Sequence, residues 1–294
     1  MEFFSDSRCQ FPKGRIQLQT EHPFYEPGNI VSGVIYMEIM EPIEASHIEI
    51  EFKGGEKASF IRHYTEAVER NGETHFENRE EKLKHKKKFL EYKNRVFDIQ
   101  GGVLNPGIYS VNFQTELPND IPSSLAFKHK KSREEPKAKV KYYVKATLHT
   151  SHKHDEMKYK QVLIIRERPV NMVVGDAQSE TSNIKTWCCI DQGTSTMSSV
   201  FEKNVFLPTE MARGAVKVNN EHCQVRATQV SFYVEQVLTV RCGHHSHTYR
   251  HRLVEQRMDG PDAGQADWAT NMELDLSKIK YEVAETKKKK GVVK

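Results

Sequence analysis

Apolar and polar residues alternate along several stretches of the chain with the period of a strand, two, in which successive side chains point to opposite faces. Tyr109, Val111 and Phe113 alternate with Ser110, Asn112 and Gln114, and Val140, Tyr142, Val144, Ala146 and Leu148 alternate with Lys141, Tyr143, Lys145, Thr147 and His149. Both stretches predict antiparallel strands with one buried face. Ile48, Ile50 and Phe52 alternate with His47, Glu49, Glu51 and Lys53, and Gly54-Gly55 is expected to end that strand. Residues 16–19, 33–40, 58–64, 89–97 and 159–166 read as further strands. Pro27-Gly28 and Pro106-Gly107 mark turns, and Asn71-Gly72 signals a hairpin. Pro118 and Pro122 offer no N–H and interrupt any ladder that reaches them.

The pattern then starts again. Tyr25, Pro27 and Gly33 are matched at the same offsets by Phe206, Pro208 and Gly214, and Ile48, Ile50 and Phe52 by Val230, Phe232 and Val234, at spacings of 181 or 182 residues. A repeat of that length argues for two copies of one sandwich unit. Residues 1–174 are expected to form the first, the small polar run at 175–183 a linker, and residues 184–294 the second, abbreviated at its end. The fold class is all-β, with two tandem antiparallel sandwiches.

Taken together, Pro106, Gly107, Tyr109, Phe113, Leu117, Pro118, Ile121, Pro122, Ser123 and Ser124, followed by Val140, Tyr142, Val144, Ala146 and Leu148, resemble the arrestin N-terminal domain of the α-arrestin and arrestin-like type. The resemblance implies immunoglobulin-like sandwiches and a non-catalytic cytosolic adaptor. Such an adaptor would dock on cytoplasmic parts of membrane proteins and direct their trafficking, endocytosis or signalling at the plasma membrane or endosomes. It also implies, as the alternative, an arrestin-like coat subunit of the retromer type in endosomal sorting. In arrestins that respond to phosphorylated receptors, an arginine at the place of Arg166 belongs to an ionic cluster between the domains, with Glu21 the candidate partner here. The Pro-Pro-x-Tyr motifs by which α-arrestins recruit ubiquitin ligases are not present, since the sequence holds no Pro-Pro pair.

Charge adds one candidate site. Lysine and arginine total 44 against 40 acidic residues, a net +4 that is too weak to call for nucleic acid. The lysines are nonetheless clustered. Lys82, Lys84, Lys86, Lys87 and Lys88 form one run, and Lys128, Lys130, Lys131 and Arg133 another, both expected in or near loops of the first sandwich. Such clusters suit phosphorylated tails or anionic lipid headgroups. Strand addition by a cargo peptide at an exposed sheet edge is a compatible docking mode.

Other chemistry is sparse. There is no phosphate loop, nucleophile elbow, dinucleotide fingerprint or zinc-protease helix, so no catalytic residue is assigned and no enzyme or cofactor is expected. Cys242, His244, His245, His247 and His251 form the densest set of metal-capable side chains and would carry a metal-dependent sandwich enzyme. A histidine-rich hairpin tip is the favoured reading, and the same holds for His149, His152 and His154. The cysteines number five, with no Cys-x-x-Cys, so reduced thiols are expected, with Cys188 and Cys189 on opposite faces of a strand. No apolar run reaches the ~18 residues of a membrane span, and the first residues lack a signal-peptide pattern.

Overall fold

The structure is a computed structural model that describes residues 7–168, 171–187 and 189–279. The terminal segments, which carry the first residues and the lysine run at 287–290, lie outside the described residues, as does Cys188. Among the described residues every regular element is a strand or a single 3-10 turn.

The chain divides into two units, one running to Arg168 and taking in Val240–His247, the other formed by the rest from Pro169 onward. The first unit contains β1 (Gln10–Phe11), β2 (Gly14–Thr20), β3 (Ile30–Ile39), β4 (Ile43–Arg70) and β5 (Glu73–Asp98). After these come β6 (Val103–Leu104), β7 (Gly107–Glu116), β8 (Leu125–Lys128), β9 (Lys137–Thr150) and β10 (Met157–Leu163). One sheet has the order β1-β2-β3-β7, and the other β10-β9-β4-β5, with β6 beside β4 and β8 beside β9. These strands pair with one another antiparallel throughout, and an isolated bridge between Tyr25 and Ile165 is parallel.

Alternation explains the packing. Ile48, Ile50 and Phe52 of β4 and Tyr142, Val144, Ala146 and Leu148 of β9 point inward against Ile16, Leu18, Ile35, Met37, Val111 and Phe113 of the other sheet. Phe52 and Phe113 meet across the gap with ring centroids 6.3 Å apart. Burial of these side chains, each worth about 1.5–3 kcal/mol, holds the two sheets together.

The pair Gly54-Gly55 does not end a strand. β4 runs straight through it, and the register with β5 slips there because Phe89 is bulged. Phe89 packs on Tyr142 at 5.4 Å between centroids, and a Cβ on Gly54 would lie 2.6 Å from the Tyr142 ring. Glycine is required at that point by the ring beneath it. β4 and β5 therefore form one hairpin, closed by Asn71 and Gly72 with φ of 54° and 81°, the two left-handed residues of a primed turn.

The Tyr142 hydroxyl donates to the Pro122 carbonyl, which ties the proline-rich connection to the sheet, and burial pushes its phenol pKa up. Tyr142→Phe keeps the ring and removes the bond, so unfolding in urea should show a stability loss of about 1 kcal/mol with an unchanged m value. A loss below a few tenths would show that the hydroxyl anchors nothing.

The second unit contains β11 (Val174–Thr186), β12 (Ile190–Lys203), β13 (Met211–Asn219), β14 (Val230–Cys242) as far as Thr239, β15 (His245–Met258) from Thr248, and β16 (Trp268–Asp275). One sheet has the order β11-β12-β13-β16, and β14 pairs with β15. Its core joins Ala212, Val216 and Val218 to Val230, Phe232, Met272 and Leu274. The sequence repeat has a counterpart here: Gly33 lies on β3, between β2 and β7, and Gly214 on β13, between β12 and β16.

Residues 175–183 differ from expectation. They are strand β11 and not a linker, and they pair with β12. Ser179 faces Ser198 with hydroxyls 2.9 Å apart, and Thr181 faces Thr196 at 2.8 Å. An edge strand with both faces wet needs no apolar alternation, so its polarity gave no strand signal. Cys189 is also displaced from its expected strand position: it lies in the turn between β11 and β12, exposed and with a free thiol.

Candidate anion-binding surface

β4 lies between β5 and β9, and the register brings lysines from all three strands into line. Lys57 stands directly opposite Lys86 on β5 and Lys139 on β9. Directly opposed residues point to the same face with Cβ atoms roughly 4.5–5.5 Å apart. Two residues along, Lys88 and Lys141 flank Gly55; in the other direction Lys84 and Lys137 flank Ser59, and Lys128 of β8 faces Lys137. The opposite face of these strands is the apolar core, so the lysines are displayed to solvent by the same alternation that buries Phe52 and Val144.

The face is electrically uneven. Around Glu51 it is compensated, since that buried carboxylate holds Lys53 at 2.7 Å, Lys145 at 2.8 Å and Lys93 at 3.6 Å. Toward the other end, Lys88 is paired with Glu91 at 3.3 Å and Lys137 with Glu135 at 3.1 Å. Among the described residues no carboxylate lies within ion-pair distance of Lys57, Lys86, Lys139 or Lys141. The Lys139 ammonium is held below its usual pKa by its contact with Lys141, by burial, and by the charges of Lys141 and Lys57. Cations crowded in this way are relieved by a bound anion.

Edge strands often carry lysine to block pairing with another chain. That accounts for Lys84, Lys86 and Lys88 on β5, which ends its sheet, but not for Lys57 on a strand paired along both sides.

The residues expected at this site are only partly brought together. Lys82, Lys84, Lys86 and Lys88 share one face of β5, in mid-strand and not in a loop, while Lys87 is opposite Glu56 on the other face. Lys128 ends β8, and Lys130, Lys131 and Arg133 lie in its connection to β9. Lys57, Lys139 and Lys141 join them through the strand register. Each occupies a polar position of its alternating strand, but only the pairing register shows that they converge.

Arg166 is placed differently from the expected ionic contact. Its guanidinium lies over the Phe24 ring at 3.7 Å, its backbone N–H donates to the Tyr25 carbonyl at 2.8 Å, and Glu21 accepts from the Ser32 hydroxyl. Phe24 offers an exposed aromatic face, on which a guanidinium stays solvated, whereas Glu21 is already engaged. The Cys242–His251 segment forms the end of one strand and the start of the next, with the Cys242 thiol pushed up by burial. Among the described residues the one group of three side chains able to share a metal ion is elsewhere, at His47, Glu49 and His149. No helix among the described residues is long and apolar enough to cross a membrane.

Comparison with known proteins agrees with this architecture. The family model described as arrestin (or S-antigen), N-terminal domain, matches residues 14–171. Arrestin domain-containing protein A of Dictyostelium discoideum is 27% identical over 252 residues, covering 84% of this chain and 42% of the relative. The chain thus spans less than half the length of that relative.

Proposed function

We propose, from the premise that this chain belongs to the arrestin family, that it is a non-catalytic adaptor which docks on acidic or phosphorylated cytoplasmic segments of membrane proteins. Its work would be the trafficking, endocytosis or signalling of those proteins, at the cytoplasmic side of the plasma membrane or endosomes. The observation that carries the reading is the line Lys139–Lys57–Lys86, three opposed cations on three adjacent strands with no carboxylate among the described residues to neutralise them. A lysine line of this kind is a poor choice for stability and a good one for an extended anionic chain, whose charges recur along its length. The β5 edge beside it also leaves backbone groups for an added strand, so main-chain pairing and charge attraction can act on one peptide.

The test is binding of matched phosphorylated and unphosphorylated acidic peptides, and of vesicles with and without anionic lipid. Wild-type protein is expected to bind the phosphorylated peptide more tightly, with affinity falling as salt rises. Lys57→Glu combined with Lys139→Glu should weaken it at least ten-fold with little change in thermal unfolding. Equal peptide binding by the variant overturns the proposal. So does a result in which the variant loses binding to anionic vesicles alone, because the face would then be a membrane patch.

A further inference from the structure

A second cluster sits on the same face of β4 and β9, on the far side of Glu51 from the lysine line. His47 stands directly opposite His149, and Glu49 is two residues along β4 on the same side. The two imidazoles are stacked with centroids 4.5 Å apart, and one ligand atom from each of the three side chains lies within 4.8 Å of the others.

The surroundings leave one nitrogen of each ring free to offer a lone pair. Ser46 Oγ donates its single proton to the His149 carbonyl at 3.3 Å, so its 2.9 Å contact with His47 Nδ1 has the ring as donor. That leaves the lone pair of His47 on Nε2. On His149, Glu156 Oε1 lies 3.6 Å from Nδ1 and Glu49 Oε1 lies 3.7 Å from Nε2. The two carboxylates flank the ring almost equally, and an ion taken at Nε2 leaves the Nδ1 proton to Glu156. This Nε2 is buried and makes no hydrogen bond, and the buried hydroxyl of Thr147, directly across from Glu49, makes none either. Two orphaned polar atoms in one patch mark a place where a partner is expected.

We propose that His47, Glu49 and His149 form a binding site for a divalent transition-metal ion of the zinc class. Two imidazole nitrogens and one carboxylate oxygen are a donor set suited to zinc and its neighbours and unsuited to calcium or magnesium. Three protein ligands leave a fourth position for water or for a side chain of a docked partner. Ser46 and Glu156 stand where groups that orient metal-binding histidines are usually found. Two cations adjoin the site: Lys93, 3.1 Å from Glu49 Oε1, and Arg95, opposite Glu49 in the register. Lys93 also reaches Glu51 at 3.6 Å, so it has a second carboxylate to turn to when Glu49 takes the ion, and Asp98, opposite His47, adds negative charge.

The test uses the full chain after treatment with a chelator, titrated with zinc by calorimetry and with cobalt by visible absorption. One equivalent of metal and the absorption bands of a four-coordinate cobalt site are expected. His149→Ala and Glu49→Gln should each weaken zinc binding at least ten-fold, and Glu156→Gln about ten-fold by loosening His149. His245→Ala with His247→Ala should leave binding unchanged. Absence of stoichiometric zinc on the wild type overturns the proposal, as does unchanged affinity in a folded Glu49→Gln protein or loss of binding in the His245/His247 variant. Circular dichroism reports folding; if His149→Ala does not fold, Glu49→Gln, which preserves shape, decides the matter alone.

Discussion

Glu51→Gln should lower the stability of the protein by about 3 kcal/mol at neutral pH and remove much of its dependence on acid between about pH 4.5 and pH 2. Glu51 is 2% exposed, in the middle of the sheet of β4, β5 and β9. Burial works to raise its carboxyl, but the hydrogen bonds and charges of Lys145 and Lys53 outweigh burial and bring it from 4.5 down to about 2. A carboxyl held that far below its unfolded value contributes about 3 kcal/mol to folding. Because the folded pKa lies below the unfolded one, the contribution is complete above about pH 4.5 and disappears as pH falls through about 2.

Glutamine keeps the shape but carries no charge to compensate Lys53 and Lys145, which approach to 2.7 and 2.8 Å. Other carboxylates, among them Glu91, Glu135 and Asp155, are also held low and add to acid unfolding in both proteins. The difference between wild type and variant isolates Glu51. Urea unfolding at a series of pH values should show a gap that is widest near neutrality and closes in acid. A gap that stays constant across the series would mean that Glu51 acts through packing and not through charge.

How far the sequence announces this arrangement differs by element. Strands with one dry face are plain in it, because Ile48, Ile50 and Phe52, or Tyr142, Val144 and Ala146, must alternate to build a core. Strands that meet water on both sides are not: β11 pairs through serine and threonine hydroxyls and carries no apolar period. The Gly54-Gly55 pair misleads for a related reason, since glycine serves equally to end a strand and to admit a ring such as Tyr142 beneath one that continues. The lysine run on β5 is visible as charge, yet its partners are 29 and 53 residues away in sequence from Lys86, at Lys57 and Lys139. Register between strands depends on turn geometry and bulges such as Phe89, and these are settled by packing rather than by any local pattern. The same limit hides the His47–His149 pair, whose members are adjacent only once β4 and β9 have aligned.

Neutralising the lysine line should move binding and stability in opposite directions. In a protein carrying Lys57→Gln, Lys86→Gln and Lys139→Gln, two like-charged opposed pairs are removed, Lys57 with Lys86 and Lys57 with Lys139. Each such pair is unfavourable by a few tenths of a kcal/mol, so the variant should unfold at a slightly higher temperature than wild type. The pH dependence has a definite sign. Lys139 is held below its ordinary pKa in the folded protein, so the cost of its charge is present when it is protonated and fades as pH rises into the lysine range. The stability advantage of the variant should therefore narrow with rising pH. Binding should change the other way: at about 1 kcal/mol for each lysine near an anionic surface, loss of three lowers affinity roughly 100-fold at low salt. A face whose lysines serve only solubility would behave differently, with a small gain in stability and no loss of affinity for a phosphorylated peptide measured by fluorescence anisotropy. A combined loss of stability and affinity would mean that the lysines pack against their neighbours through their stems, and that crowding of charge is not what marks this surface.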